Sequence, residues 1–255
     1  MPIGPARMPL LDHLGELRRR LMIIVVCLIA SAIVLYMATP VLIEFLKAPI
    51  TPFLPQDGQL NLLTPLSGFS IRFKVALYAA VIVCSPLIIW QIMAFFLPAL
   101  KPSERKWVVP TITMGIILFI FGLVFCYGII LRPAFQWMTD QSAAIGRVLP
   151  TAENYIRIIL LFELAFGIAF ELPLLVFYLI VFNIVSYKYF RKNWRLVYLV
   201  LLVLSAMVTP DASPVTMAFM FAAMVLLYEL ALFISRIVLA RRIKQQALNE
   251  LRDMA

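Results

Sequence analysis

Residues 156–182 read IRIILLFELAFGIAFELPLLVFYLIVF, and this stretch decides the class of fold. Nearly every residue in it is apolar. The run is longer than the about 20 helical residues that cross a hydrocarbon core about 30 Å thick. It therefore predicts a membrane-spanning helix.

The composition of the whole chain agrees with this interpretation. The 255 residues are 64% hydrophobic and 14% charged, whereas soluble domains are about 45–50% apolar and about 25% charged. Intrinsic disorder, collagen, a disulfide scaffold and a water-soluble enzyme are thereby excluded. The cysteines all lie in apolar runs, which favours small buried side chains over a disulfide bond or a metal site.

The predicted fold is all-α, a polytopic membrane protein with six transmembrane helices. The predicted spans are roughly 21–39, 72–97, 108–131, 156–182, 196–208 and 215–235. The outer connections are predicted at Pro40–Phe69 and Arg132–Tyr155. Residues 1–240 form one membrane domain, and residues 241–255 form a C-terminal tail.

The net charge of +9 comes from basic clusters between the apolar runs. This placement indicates an anionic membrane surface and no nucleic acid partner. Most of the 22 Lys and Arg residues lie on the side of the two termini, so both termini and the tail are predicted to be cytoplasmic.

Residues 21–32 alternatively resemble a cleavable signal peptide that ends in Ala30-Ser31-Ala32. The apolar run continues through Ala38 without a polar break, which favours a retained span. Met8 is an alternative start to Met1, and the choice does not affect the fold.

The last two spans are predicted to be short. Leu196–Val208 makes only about 20 Å of helix, and Glu229 interrupts the final apolar run. The turn at 209–214 makes the two spans an antiparallel hairpin. Two outcomes remain open, local thinning of the membrane or shielding of the hairpin by the longer spans.

Three carboxylates fall inside apolar runs, Glu163, Glu171 and Glu229. A charge at the bilayer centre costs about 2.5–3.5 kcal/mol, so each is a candidate functional site. Glu171 precedes Pro173, which predicts a kink and a polar contact for another helix or a small aqueous pocket. Glu163 lies about 80° away around the helix, so the two acids need not share one site. Glu229 lies nearer the basic end of its span.

The sequence lacks the motifs of several common catalytic, metal-binding and nucleotide-binding sites. The single histidine, His13, precedes the first span, which removes a zinc HExxH site, a Ser-His pair and an intramembrane histidine relay. No P-loop occurs. We predict no enzymatic activity, no cofactor and no metal.

Two acids, Glu16 and Glu104, stand next to basic residues in the segments on the side of the termini. One interpretation is local ion pairing, worth about 0–1 kcal/mol at a surface. The other is a joint carboxylate pocket for guanidinium groups, which match carboxylates in a bidentate fork. The residues alone leave both open.

Four segments together resemble one family. His13–Leu21, HLGELRRRL, is similar to the HLxELRxRL start of TatC, the large subunit of the twin-arginine protein translocase. The other three are WQIMAFFLPAL at 90–100 followed by Glu104-Arg105, FGIAFELP at 166–173, which matches FGxxFExP, and Thr209-Pro210-Asp211, a TPPD-like turn with one proline fewer. The resemblance runs from about residue 9 to residue 240.

The resemblance implies export of folded proteins across the cytoplasmic membrane of a prokaryote, driven by the proton-motive force. The twin arginines of a cargo's signal peptide would be read by Glu16 and Glu104 with Phe95 beside them. Arg18 and Arg20 would hold the acids in place.

The resemblance also implies single-span partners of the TatA and TatB type. Their implied contacts are Glu171, Pro173 and Asp211, together with the two short spans. Self-association in a larger complex is implied as well.

Two residues depart from the family pattern. Glu163 stands where the family usually has an apolar residue, and Pro102 precedes Glu104. Two alternative functions are also considered. One is a small-solute secondary transporter with a midplane acidic site, and the other is a membrane scaffold that binds no ligand.

Overall fold

The structure, a computed structural model, describes residues 10–54, 60–96, 108–143, 146, 151–181, 184–209, 213–238 and 240. This part of the chain is helical and has no β-strand, only an isolated bridge between Asn61 and Thr151. The helices are α1 Leu10–Lys47, α2 Ser67–Phe96, α3 Val108–Phe125, α4 Leu131–Ala143, α5 Ala152–Ala169, α6 Leu172–Val181, α7 Tyr187–Lys192, α8 Trp194–Val208 and α9 Pro214–Val238. A 3-10 helix, Ala48–Phe53, follows α1, and a π-helical turn, Cys126–Ile130, joins α3 to α4.

The polytopic membrane fold is confirmed. Among the described residues, five helical stretches are long and apolar enough to cross a membrane, and α8 is a shorter apolar helix. The five stretches are Leu14–Phe53, Ser67–Phe95, Val109–Ala143, Ala152–Val181 and Pro214–Val238.

The prediction that both final spans are short holds for α8 and not for α9. α9 runs for 25 residues and passes through Glu229 without a break. Its carboxylate accepts hydrogen bonds from Arg191 of α7 and from the hydroxyl of Tyr198 of α8. Glutamate is a good helix former, so the acid interrupts the apolar run but not the helix.

The outer connections are shorter than the sequence predicted. α1 does not end at Pro40 but continues to Lys47, and α4 extends past Arg132 to Ala143. The π-helical turn carries the chain from α3 into α4 without interruption. These helices are therefore longer than the apolar runs of the sequence alone indicate.

Proline is accommodated inside α1 and α2 by the residue before it. A proline at position i leaves the carbonyl of residue i−4 without its helical donor. Thr39 Oγ1 donates to the carbonyl of Tyr36, four residues before Pro40, over 2.8 Å. In the same way, Ser85 Oγ donates to the carbonyl of Ile82, four residues before Pro86, over 2.8 Å. A hydroxyl thus replaces each missing backbone donor.

The fourth apolar run is broken where the sequence predicted. α5 ends at Ala169, Phe170 and Glu171 form a turn, and α6 begins at Leu172. Hydrogen bonds join this turn to the first residues of α6, because the amides of Leu174 and Leu175 both donate to the carbonyl of Glu171. The break places the Glu171 side chain at the junction of two helices.

α3 and α5 pack closely against each other at two glycines. A Cβ on Gly122 would lie 2.7 Å from the carbonyl oxygen of Phe166, and a Cβ on Gly167 would lie 2.9 Å from Cε2 of Phe119. These glycines allow the two backbones to approach closely, as small residues do between membrane helices. The core around this crossing includes the fully buried rings of Phe162 and Phe166.

The bundle has two ends. The start of α1 lies beside the end of α2, because Arg20 reaches Gln91, and we call this the Glu16 end. The end of α1 lies with the starts of α2 and α5, where Lys74 and Glu153 form an ion pair over 2.6 Å, and we call this the Lys47 end. α1 packs mainly on α2, while α9 packs on α6 and α8.

We expect Thr39→Val to destabilise the protein by about 1–2 kcal/mol, because the carbonyl of Tyr36 then loses its donor in an apolar setting. Thr113→Val is the matched control. Thr113 also donates to a carbonyl within its helix, but its site is exposed and no proline follows. Thermal unfolding of the purified protein in detergent measures both variants, and equal midpoints would contradict the role assigned to Thr39.

Candidate functional site

The first polar site is formed by Glu16 and Arg20, one turn apart near the start of α1. Arg20 Nε donates to Glu16 Oε1 over 3.1 Å, and the Nη2 group donates to the same oxygen. The side chains are 23% and 22% exposed, respectively. The pair therefore lies partly within the structure.

Gln91 of α2 completes the contact between the two helices. Arg20 Nη1 donates to Gln91 Oε1 over 3.0 Å. The guanidinium thus holds an acid of its own helix and an amide of the neighbouring helix at once. Sequence reasoning did not single out Gln91, although a glutamine in an otherwise apolar span is itself a signal that a polar partner faces it.

The second oxygen of Glu16 has no protein partner in the described part of the chain. Glu16 Oε2 is buried and accepts no hydrogen bond from any described residue. An ionised carboxylate accepts several hydrogen bonds, and Arg20 uses only Oε1. The site can therefore accept another strong donor, and a guanidinium is the donor that fits a carboxylate best.

Two further residues predicted for this site are in the described ranges. Phe95 lies one turn beyond Gln91 near the end of α2, so the two side chains share a face of that helix. Arg18 lines a shallow apolar groove along α1 with Leu14, Leu17 and Leu21. Glu104 lies outside the described residues, as do Pro102 and the loop between α2 and α3.

A second polar site lies at the break between α5 and α6. Glu171 Oε1 is buried and has no hydrogen-bond partner among the described residues. Glu171 Oε2 faces α3, because a Cβ on Gly115 would lie 3.3 Å from it. Pro173 is buried at the start of α6. Asp211, the third predicted partner contact, lies outside the described residues.

Glu229 belongs to a third cluster, which is already satisfied. Arg191 donates to Glu229 Oε2 over 2.9 Å, and the Tyr198 hydroxyl donates to Oε1 over 3.0 Å. The hydrogen bond to Glu229 raises the pKa of Arg191 above its ordinary value. The side chains of Arg191 and Glu229 are 58% and 38% exposed, so the pair contributes only about 0–1 kcal/mol to stability. Its role is to join α7, α8 and α9.

The fold and its polar sites place the chain in one class, the multi-pass helical membrane proteins. An acid, an arginine and an amide are joined at one end, and a helix break within a span carries a carboxyl oxygen with no partner among the described residues. The family model described as Sec-independent protein translocase protein (TatC) matches residues 12–248. The chain belongs to the TatC family.

Individual relatives and solved structures agree with this assignment. The TatC protein of Deinococcus radiodurans is 35% identical over 235 residues, which cover 91% of this chain and 87% of the relative. That of Aquifex aeolicus is 32% identical over 238 residues, covering 92% and 98%. A crystal structure of the twin-arginine translocase receptor TatC in DDM matches with a TM-score of 0.75 and 28% identity, covering 88% of this chain and 99% of that one.

We expect Arg20 and Gln91 to be energetically coupled. A double-mutant cycle of Arg20→Leu and Gln91→Leu should show an interaction of about 0.5–1.5 kcal/mol in thermal unfolding, because the two single changes remove the same hydrogen bond. Arg18→Leu with Gln91→Leu is the control cycle and should be additive within about 0.5 kcal/mol. Additivity in both cycles would contradict the contact between the helices.

Proposed function

We propose that this chain is the core and signal-peptide receptor subunit of a twin-arginine translocase, which exports folded proteins across the cytoplasmic membrane of a prokaryote. Its membership of the TatC family supports a role in protein translocation. The solved relative is named as the receptor of this system. None of these relatives supports the alternative of a small-solute transporter. The energy source would be the proton-motive force, with no nucleotide and no cofactor.

The observation that carries the receptor role is the second carboxylate oxygen of Glu16, which lacks a hydrogen-bond partner among the described residues. Arg20 occupies Oε1, while Oε2 is buried and accepts no hydrogen bond from the described residues. A signal peptide with two adjacent arginines brings two guanidinium groups and needs two acids. Glu16 Oε2 would bind one of them, and Glu104 would bind the other.

The surrounding residues support this recognition by holding Glu16 in place. Arg20 is fixed by Gln91 on α2, so the acid is held against the end of the helix from which the loop with Glu104 departs. Phe95 lies one turn further along α2 and supplies an aromatic surface for an arginine side chain. Arg18 adds positive charge beside the pair and would help to orient the acids.

The orientation follows from the distribution of positive charge. The Glu16 end carries Arg18, Arg19 and Arg20 at the start of α1 and a second basic cluster in α7. Basic residues are retained on the cytoplasmic side of membrane proteins. We therefore place the Glu16 end, both termini and the C-terminal tail in the cytoplasm, where a receptor for newly made cargo must act.

Glu171 is proposed as the contact for single-span partners of the TatA and TatB type. Its Oε1 lacks a partner among the described residues, and an unsatisfied carboxyl within a span favours association with a helix that carries a polar side chain. Pro173 supports the site by maintaining the helix break, and Asp211 with the short α8 would extend the same surface. Self-association of the chain would complete the complex.

Glu16→Gln should lower photocrosslinking to a twin-arginine signal peptide by about tenfold, because a neutral amide loses the charge-assisted hydrogen bond. Glu104→Ala should have an effect of similar size. The control is Glu44→Gln on the same helix, since Glu44 pairs with Lys47 at the opposite end. A peptide with two lysines tests whether the fork geometry is read, and it should crosslink weakly to every version of the protein.

Unchanged crosslinking in both Glu16→Gln and Glu104→Ala would contradict the receptor role and favour a scaffold. Solute uptake by vesicles that contain this chain alone would instead favour the transporter alternative. Membrane extraction and gel filtration of each variant show whether it is folded.

Glu171→Leu should reduce co-purification of single-span partners by at least about fivefold, because the loss of one intramembrane hydrogen bond costs about 1–2 kcal/mol. Glu153→Gln is the matched control, as Glu153 lies in α5 but pairs with Lys74 outside the apolar region. Undiminished co-purification with Glu171→Leu would remove this contact from the proposal.

A further inference from the structure

A cavity lies between α1, α2, α3 and α5, away from both the Glu16 site and the Glu171 site. Its volume is about 460 Å³, within the about 300–1,000 Å³ typical of ligand pockets. The part of its wall that the structure describes is apolar except for Glu163 and two tyrosines, and contains no lysine or arginine. The lining residues are Leu42, Phe45, Leu46, Val75, Tyr78, Ala79, Ile82, Leu123, Val124, Tyr127, Leu160, Glu163 and Leu164.

Glu163 is a buried acid with one oxygen that no described residue satisfies. The residue is 7% exposed, and its Oε1 has no hydrogen-bond partner among the described residues. The nearby hydroxyl of Tyr127 donates instead to the carbonyl of Phe45 over 2.8 Å. Nothing in the receptor role or in the partner contact uses this acid. An ionisable side chain at such a position is a candidate site for another donor.

The backbone next to the cavity is irregular. The π-helical turn Cys126–Ile130 lies in the same span as the lining residues Leu123 and Val124, and it contributes Tyr127 to the wall. π-Turns within helices occur frequently at functional sites. The ring of Tyr127 stacks on Phe45 with 4.5 Å between the centroids, so the wall presents aromatic surface near the acid.

The cavity opens toward lipid. Phe45 and Val124, which line it, are 58% and 63% exposed on the apolar surface of the bundle. Glu163 lies ten residues along α5 from Glu153, or about 15 Å, which places it deep in a hydrocarbon core about 30 Å thick. A ligand must therefore enter from the membrane and have an apolar body.

The size of the cavity favours a compact ligand over a helix of another protein. The lining on α2 runs from Val75 to Ile82, about 10 Å of helix, and on α1 from Leu42 to Leu46. A transmembrane helix crosses about 30 Å and needs a groove of comparable length. A single chain with a small polar head fits the cavity better.

We propose that this cavity binds a lipid-soluble amine, whose ammonium group pairs with Glu163 and whose hydrocarbon tail extends toward the lipid. The charge is complementary, because among the described lining residues Glu163 is the only acid and none is a lysine or arginine. Tyr78, Tyr127 and Phe45 add aromatic faces, which attract ammonium groups. The proposal does not depend on the receptor role.

The test uses the full-length protein in a nonionic detergent and two photoreactive probes. One probe is dodecylamine with a diazirine in its chain, and the other has the same chain and diazirine but ends in a methyl group. Labelled peptides that contain residues 123–127 and 160–164 are quantified by mass spectrometry. Unlabelled dodecylamine serves as the competitor and dodecane as its matched control.

We expect the amine to label these peptides about tenfold more than the alkane in the wild-type protein, as a charge-assisted contact predicts. Glu163→Gln should lower amine labelling to near the alkane level. Ala79→Phe should remove labelling by both probes, because the new ring fills the cavity from α2. Val83→Phe, which adds the same ring at an exposed position on α2 outside the cavity, and Glu153→Gln should change nothing.

Equal labelling by the two probes in the wild-type protein would overturn the proposal, because the cavity would then accept any hydrocarbon chain. An excess of amine labelling that survives in Glu163→Gln would overturn it too. If Glu163→Gln does not fold by gel filtration, Ala79→Phe decides, since undiminished amine labelling in that variant places the amine elsewhere.

Discussion

The structure depends on one constraint, that polar groups inside a hydrocarbon core must find partners within the protein. α1 and α2 meet it in the same way. Each contains a proline, and in each the preceding hydroxyl residue, Thr39 or Ser85, donates to the carbonyl that the proline leaves free. Because the freed carbonyls are satisfied, both helices continue across the membrane with their prolines inside.

Three carboxyl oxygens in the described ranges depart from this constraint. They are Glu16 Oε2, Glu163 Oε1 and Glu171 Oε1. Glu229 shows the contrast, because Arg191 and Tyr198 satisfy both of its oxygens and α9 runs on undisturbed. The three unsatisfied acids lie at the start of α1, deep within α5 and at the α5–α6 break. Each is therefore interpreted as a binding position for something other than this chain, namely a guanidinium, an amine or a partner helix.

The separation of these sites follows from helix geometry and packing. Glu163 and Glu171 come from one apolar run, yet Glu163 lines a cavity with α1 and α2 while Glu171 faces Gly115 of α3. Eight residues, about 12 Å of helical rise, separate the two acids along the chain. The close crossing of α3 and α5 at Gly122 and Gly167 holds α5 in place beside both sites.

The sequence by itself determined the all-helical membrane fold, the break before Pro173 and the family, because hydrophobic length and short motifs are local properties of the chain. It could not determine how far α1 and α9 extend, since Thr39 compensates for Pro40 within α1, and α9 continues past Glu229, which binds Arg191 and Tyr198. Nor could it reveal the partnership of Arg20 with Gln91 or the cavity beside Glu163. Those features exist only where residues far apart in the chain meet, and the packing of the helices decides which residues meet.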